Sequence, residues 1–141
     1  MSLVKIRTAM VAFASSAALI GGTVVLAAPT AFAATPRVTA GCYGSSCNGL
    51  DPVDMGCSPD AYTVESVDSA KGTIELRYSP SCKANWARIS GASNGQEFYV
   101  YNESLVVWWH AIGSTGYGDM VDGSGKARAC IASGGACTGW H

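Results

Sequence analysis

Thr73-Ile74-Glu75-Leu76-Arg77-Tyr78 changes chemical character at every step. Side chains of an extended strand leave alternately to opposite faces, so Ile74, Leu76 and Tyr78 share one face and Thr73, Glu75 and Arg77 the other. A helix would scatter the same apolar residues around its circumference. The segment therefore reads as a strand with one core face. Upstream, Tyr62-Thr-Val-Glu-Ser-Val67 is rich in β-formers, and Lys71-Gly72 marks a turn between the two. Together they predict an antiparallel hairpin buried on one side.

Beyond the hairpin, Pro80 ends the second strand because it has no amide hydrogen for a ladder. Cys82 to Ile89 fits one helical turn or a short strand, with Trp86 and Ile89 as core candidates. Arg88 is placed with that scaffold, where it would stack on Trp86 or pair with an acidic side chain. Ser90 to Gly95 is a turn. Gln96 to Asn102 alternates again, with Phe98 and Val100 on one face and Glu97, Tyr99 and Tyr101 on the other. Leu105 to Ile112 is the most apolar stretch. Its adjacent Trp108 and Trp109 face opposite sides of a strand, so one of them is expected at a surface unless both faces are covered. Gly113 to Gly125 reads as a long loop interrupted by Met120-Val121, and Ala127 to Ile131 as a last short strand. Short strands, no convincing amphipathic helix and no internal repeat predict an all-β fold, a small barrel or sandwich.

Six cysteines, Cys42, Cys47, Cys57, Cys82, Cys130 and Cys137, give an even count in a short chain, which reads as a disulfide framework. Cys42-x4-Cys47 and Cys130-x6-Cys137 do not match common zinc spacings, and there is no Cys-x2-Cys redox pair. Six cysteines allow many connectivities. Pairing of chain neighbours, Cys42–Cys47, Cys57–Cys82 and Cys130–Cys137, is the expectation. Between Cys42 and Pro59, glycines and prolines exclude a regular helix and predict an irregular cysteine-rich loop. Asp51, Asp54 and Asp60 lie in or beside it, but they lack the ligand alternation of a calcium loop and read as turn formers.

Lys5 and Arg7 precede an uncharged stretch from Ala9 to Ala28, which Ala31-Phe32-Ala33 follows. This order is that of a secretory signal peptide with cleavage before Ala34. The expected organisation is a signal peptide at 1–33, a flexible arm at 34–41 and one secreted, disulfide-stabilised domain at 42–141. Export to the extracellular medium follows, with no membrane association after cleavage. The whole chain carries a formal charge of −1, which grows more negative once Lys5 and Arg7 are removed. With no basic cluster, nucleic acid is excluded as a partner class on electrostatic grounds.

Catalytic signatures are weak. His110 with Ser104 or Ser114 and Asp119 forms no recognisable nucleophile arrangement. Glu65 and Glu75, which would face each other across the hairpin, read as surface charges. No phosphate-loop glycine pattern is present, and no cofactor or metal is expected. Asn102-Glu103-Ser104 matches a glycosylation triplet, to which no function is attached. What stands out is aromatic surplus: Tyr99, Tyr101, Trp108, Trp109, Tyr117 and Trp140 are the residue types that anchor protein interfaces or stack on sugars.

Several segments carry a family resemblance: Cys42-Tyr-Gly-Ser-Ser-Cys47-Asn-Gly-Leu-Asp-Pro52, Gly56-Cys57, Asp60-Ala61-Tyr62-Thr63, Glu75-Leu-Arg-Tyr-Ser-Pro-Ser-Cys82-Lys-Ala-Asn-Trp86-Ala-Arg-Ile89, Met120-Val121-Asp122, Ala127-Arg-Ala-Cys130 and Cys137-Thr-Gly-Trp140. The chain resembles a family of small exported actinomycete proteins of unassigned function. Some members look like the adaptor subunit of secreted, umbrella-shaped antibacterial toxin particles, joining a repeat-containing stalk protein to a lectin-like subunit. The Val106-Val-Trp-Trp-His110 run departs from the family pattern. The resemblance implies a non-enzymatic secreted domain that binds another protein. A carbohydrate- or cell-wall-binding module is the alternative, and a secreted enzyme inhibitor or small hydrolase a further one.

Overall fold

A computed structural model describes residues 39–141. The signal-peptide segment and most of the 34–41 arm lie outside the described residues. Within them the chain forms β1 (Tyr62–Ser69), β2 (Gly72–Ser79), β3 (Ala84–Ser90), β4 (Glu97–Asn102), β5 (Val106–His110), β6 (Thr115–Tyr117), β7 (Val121–Asp122) and β8 (Ala127–Ile131), with one 3-10 turn at Gly44–Cys47. One sheet runs β1-β2-β3-β6, with β7 also on β3, and the other runs β5-β4-β8. All of the strand pairs are antiparallel. The expected all-β architecture is present as two sheets packed face to face.

The alternation at Thr73–Tyr78 does what its period dictates. Ile74 and Leu76 are fully buried and lie opposite Ile89 and Ala87 of β3. Phe98 and Val100 of β4, with Ala127, Ala129 and Ile131 of β8, complete this core from the second sheet. The β1–β2 turn is tight enough to need glycine. Gly72 has φ of 116°, and a Cβ there would stand 2.6 Å from the Ser90 carbonyl oxygen.

A second apolar cluster lies on the other side of the first sheet. Cys42, Cys47, Cys57, Cys82, Ala84, Trp86 and Met120 pack together, with Met55 and Ala61 against them. The irregular loop is thus a third layer. It is tied down by Cys42–Cys47 and Cys57–Cys82, and by bonds such as Gly41 N–H to the Met55 carbonyl (2.8 Å). The third bridge is Cys130–Cys137, so all three pairs join chain neighbours.

Of the two readings left open for Cys82–Ile89, the structure contains the short strand, β3. Three local expectations need correction. The Gly113–Gly125 loop contains β6 and β7, because Thr115–Tyr117 and Val121–Asp122 both find partners on β3. Tyr78 is half-buried and meets Tyr62 edge-on at 5.8 Å, outside the main core. Arg88 is exposed: it shares the outer face of β3 with Trp86, but the cysteine cluster packs over Ala84 and Trp86 and does not include it.

Replacing Phe98 by alanine should cost about 3–5 kcal/mol of stability, the range for emptying a buried aromatic site. Removing Cys57–Cys82, which closes a separation of 25 residues, should cost about 3–4 kcal/mol by loop entropy. Denaturant unfolding of the oxidised protein measures both. Val53→Ala, at an exposed loop position, should stay within about 0.5 kcal/mol of the parent.

Candidate functional site

Because Phe98 and Val100 take the inner face of β4, Tyr99 and Tyr101 are turned outward. Register then sets their neighbours: Tyr99 lies opposite Trp108 of β5 and Cys130 of β8, and Tyr101 opposite Val106 and Arg128. The rings make a row. Trp108 and Tyr99 centroids are 4.3 Å apart, Tyr99 and Tyr101 5.6 Å, and Tyr101 meets Trp140 edge-on at 4.8 Å. The Arg128 guanidinium lies 6.0 Å from the Tyr101 centroid and 5.8 Å from that of Trp140, within range of cation–π attraction.

Trp140 reaches this row because the C-terminal segment docks along β8. Ala127 N–H donates to the His141 carbonyl (2.8 Å), His141 N–H donates to the Ala127 carbonyl (3.1 Å), and Thr138 N–H donates to the Ala129 carbonyl (2.9 Å). Glu65 of β1 fastens the end: its Oε2 accepts from Gly139 N–H at 2.5 Å and pairs with His141 Nε2 at 2.8 Å. The His141 bond, then the Gly139 amide, hold the Glu65 carboxyl below its ordinary value.

The other tryptophan opens a second region. Trp109 lies opposite Phe98 on the inner face of β5, yet both tryptophans are exposed, Trp108 at 55 % and Trp109 at 39 %. The expectation of one surface tryptophan is thereby exceeded. Among the described residues β5 is an edge strand paired only with β4, and across from it the first sheet ends in the three-residue β6. Too little of that sheet extends over Trp109 to bury it. A cleft of about 580 Å³ remains, walled by Trp109, Ile112, Tyr117, His110, Arg88 and Glu75 among others.

The polar wall of the cleft is a fixed network. Arg88 Nε and Nη2 donate to the two Glu75 oxygens at 2.5 and 2.9 Å. Thr63 Oγ1 donates to Glu75 (2.8 Å) and accepts from Arg77 Nη1 (2.7 Å). The Arg88 bond, against partial burial, holds Glu75 below the usual carboxylate range. Nearby Asp119 is pushed up by burial and by the charge of Asp51.

The six aromatic residues singled out in sequence thus divide. Tyr99, Tyr101, Trp108 and Trp140 form one outward row, while Trp109 and Tyr117 line the cleft round the edge of β5. Sequence reasoning passed over Arg128, Ile112 and the Glu65–His141 pair. Arg128 alone carried a signal, as an outward position in the last strand.

The weighed catalytic groupings do not assemble. Among the described residues no hydrogen bond joins His110 to Ser104, Ser114 or Asp119, and His110 is exposed. The unbroken register from Ser69 opposite Gly72 sets Glu65 opposite Leu76, while Glu75 lies opposite Ser66; a β-bulge at Val64 then shifts only Thr63 and Tyr62. The two carboxylates therefore occupy opposite faces and do not face each other. The loop aspartates are spent on turns: Asp51 Oδ1 accepts from the Val53 and Asp54 amides, and Asp60 accepts from Ser79 Oγ and the Ser81 amide. The Asn102 side chain is likewise engaged, donating to the Asp122 carbonyl and accepting from the Ser104 and Leu105 amides.

A family model described as a protein of unknown function, DUF2690, matches residues 45–130. No curated protein and no solved structure matches the chain significantly.

A depressed carboxylate contributes stability above its unfolded value and loses that contribution as pH falls through its folded value. For Glu75 the loss should begin near the ordinary carboxylate value of about 4.5 and continue below it. Unfolding midpoints measured from pH 6 downward should show a shallower acid decline in Glu75→Gln than in the parent.

Proposed function

The chain belongs to the DUF2690 family of proteins of unknown function, and from its exposed aromatic surface we propose that it is a secreted, non-catalytic binding module that holds another protein outside the cell. The observation that carries this reading is a continuous apolar surface wrapped round an edge strand. Trp108, Tyr99, Tyr101 and Trp140 lie on one side of β5 and Trp109, Ile112 and Tyr117 on the other. Apolar patches of this kind mark interaction sites. Trp, Tyr and Arg are also the residues on which interface energy concentrates.

β5 adds backbone to this surface. An edge strand presents unpaired amides and carbonyls to which an extended partner segment can add. Such a segment would run between Trp108 on one side and Trp109 on the other, with one of its bulky apolar side chains entering the cleft. The basic Lys5 and Arg7, the uncharged stretch that follows them and the three disulfides support an extracellular location. In its most specific form, resting on the sequence resemblance, the role is that of an adaptor in an antibacterial toxin assembly.

The row of rings favours one second reading. Aromatic faces in series stack on sugar rings, so a cell-wall or surface glycan is the alternative occupant.

Affinity capture of the oxidised protein from culture supernatant should recover a protein partner. Trp108→Ala and Tyr99→Ala should each weaken retention by tenfold or more, about 1.4 kcal/mol or greater, without changing the unfolding midpoint appreciably. Asp68→Asn, at an exposed position of β1 away from the row and the cleft, should retain the partner. Recovery as a free monomer, with retention on purified wall material lost in Trp108→Ala, replaces the protein partner by a glycan.

A further inference from the structure

Two of the three disulfides, Cys42–Cys47 and Cys57–Cys82, pack against each other under the irregular loop. Their four sulfurs lie within 4.8 Å of one another, and Cys42 Sγ is 3.9 Å from Cys57 Sγ across the two bridges. All four residues are buried. Four thiolates held about 2.3 Å from a tetrahedral ion stand roughly 3.8 Å apart. The spacing between the bridges already approaches that value. Once cleaved, the bonded sulfurs need to separate by roughly 2 Å to reach it.

We propose that the reduced chain binds one soft divalent cation of the zinc class through Cys42, Cys47, Cys57 and Cys82. Cleaving both bridges takes four electrons and four protons from a thiol reductant, whose own sulfurs are oxidised to disulfide. Binding the cation then displaces the four thiol protons to solvent, since thiolate is the ligand. The ion ties the same four points as the two bridges. It therefore holds the loop on Trp86 in a chain whose disulfides have not formed.

Spacing rules miss this site because they look for two short local pairs. Here only Cys42-x4-Cys47 is local. Cys57 and Cys82 are separated by 25 residues and meet because the loop returns to the start of β3.

The test titrates the fully reduced full-length chain, freed of reductant under inert gas, with Co²⁺ and then Zn²⁺. The expected result is one Co²⁺ per chain with tetrahedral cobalt–thiolate absorption, displaced by equimolar Zn²⁺. Zinc should also shield four of the six thiols from alkylation. The Cys130→Ser/Cys137→Ser double variant should keep the band, while Cys57→Ser/Cys82→Ser and Cys42→Ser/Cys47→Ser should each lose it. Thiol shielding reads out the site even where the reduced chain has lost its fold, and recovery of the β-sheet circular dichroism on adding zinc adds support. Absence of the tetrahedral band, equal alkylation with and without zinc, or a band that survives in Cys57→Ser/Cys82→Ser would overturn the assignment.

Discussion

Trp86 and Ile89 leave β3 in opposite directions, and both are buried. Ile89 enters the core between the sheets, and Trp86 enters the cluster beneath the cysteine loop. A strand covered on both faces cannot slip by one residue without exchanging its two apolar sets. β3 therefore sets the register for β2, β6 and β7, all of which pair with it. The loop that covers Trp86 has little regular backbone bonding of its own. Its cross-links supply what secondary structure does not, and Cys82 brings the tether to the residue pair just ahead of β3.

This arrangement spends its apolar cover unevenly. The first sheet carries the cysteine cluster over Trp86 on its outer face, whereas on the second sheet the C-terminal segment pairs along the edge of β8. That segment covers β8 and leaves β5 bare. The exposed rings consequently gather towards the β5 edge, where the row on one face and the cleft on the other meet. Glu65 ties β1 of the first sheet to the end of this segment. The position of Trp140 on the second sheet thus depends on a carboxylate from the first. The Glu75–Arg88 pair gives the cleft a rigid polar wall opposite Trp109.

Most of the strand content was legible because it rests on local alternation. Thr73–Tyr78 and Gln96–Asn102 each show period two, and each is a strand with the expected inner residues. β6 and β7 were not legible. Three and two residues are too short for a period, and both exist only because β3 offers them a free edge. Glu65 was misplaced for a related reason. Its partner follows from the turn, since pairing counted back from Ser69 opposite Gly72 brings it to Leu76, and residue type does not announce that one-residue choice of register.

By itself the sequence determined the all-β class, the hairpin and its buried face, the disulfide framework, and which aromatic residues exceed the needs of a small core. Those properties follow from residue type and nearest-neighbour order. Tertiary structure decided which sheet edge stays open, that Trp108 and Trp109 are both exposed, that Trp140 joins Tyr101 and Arg128, and that four distant sulfurs share one point. Each of these depends on how far one sheet extends over the other and where the chain returns. Such distances are set by packing between segments remote in sequence, and no local pattern encodes them.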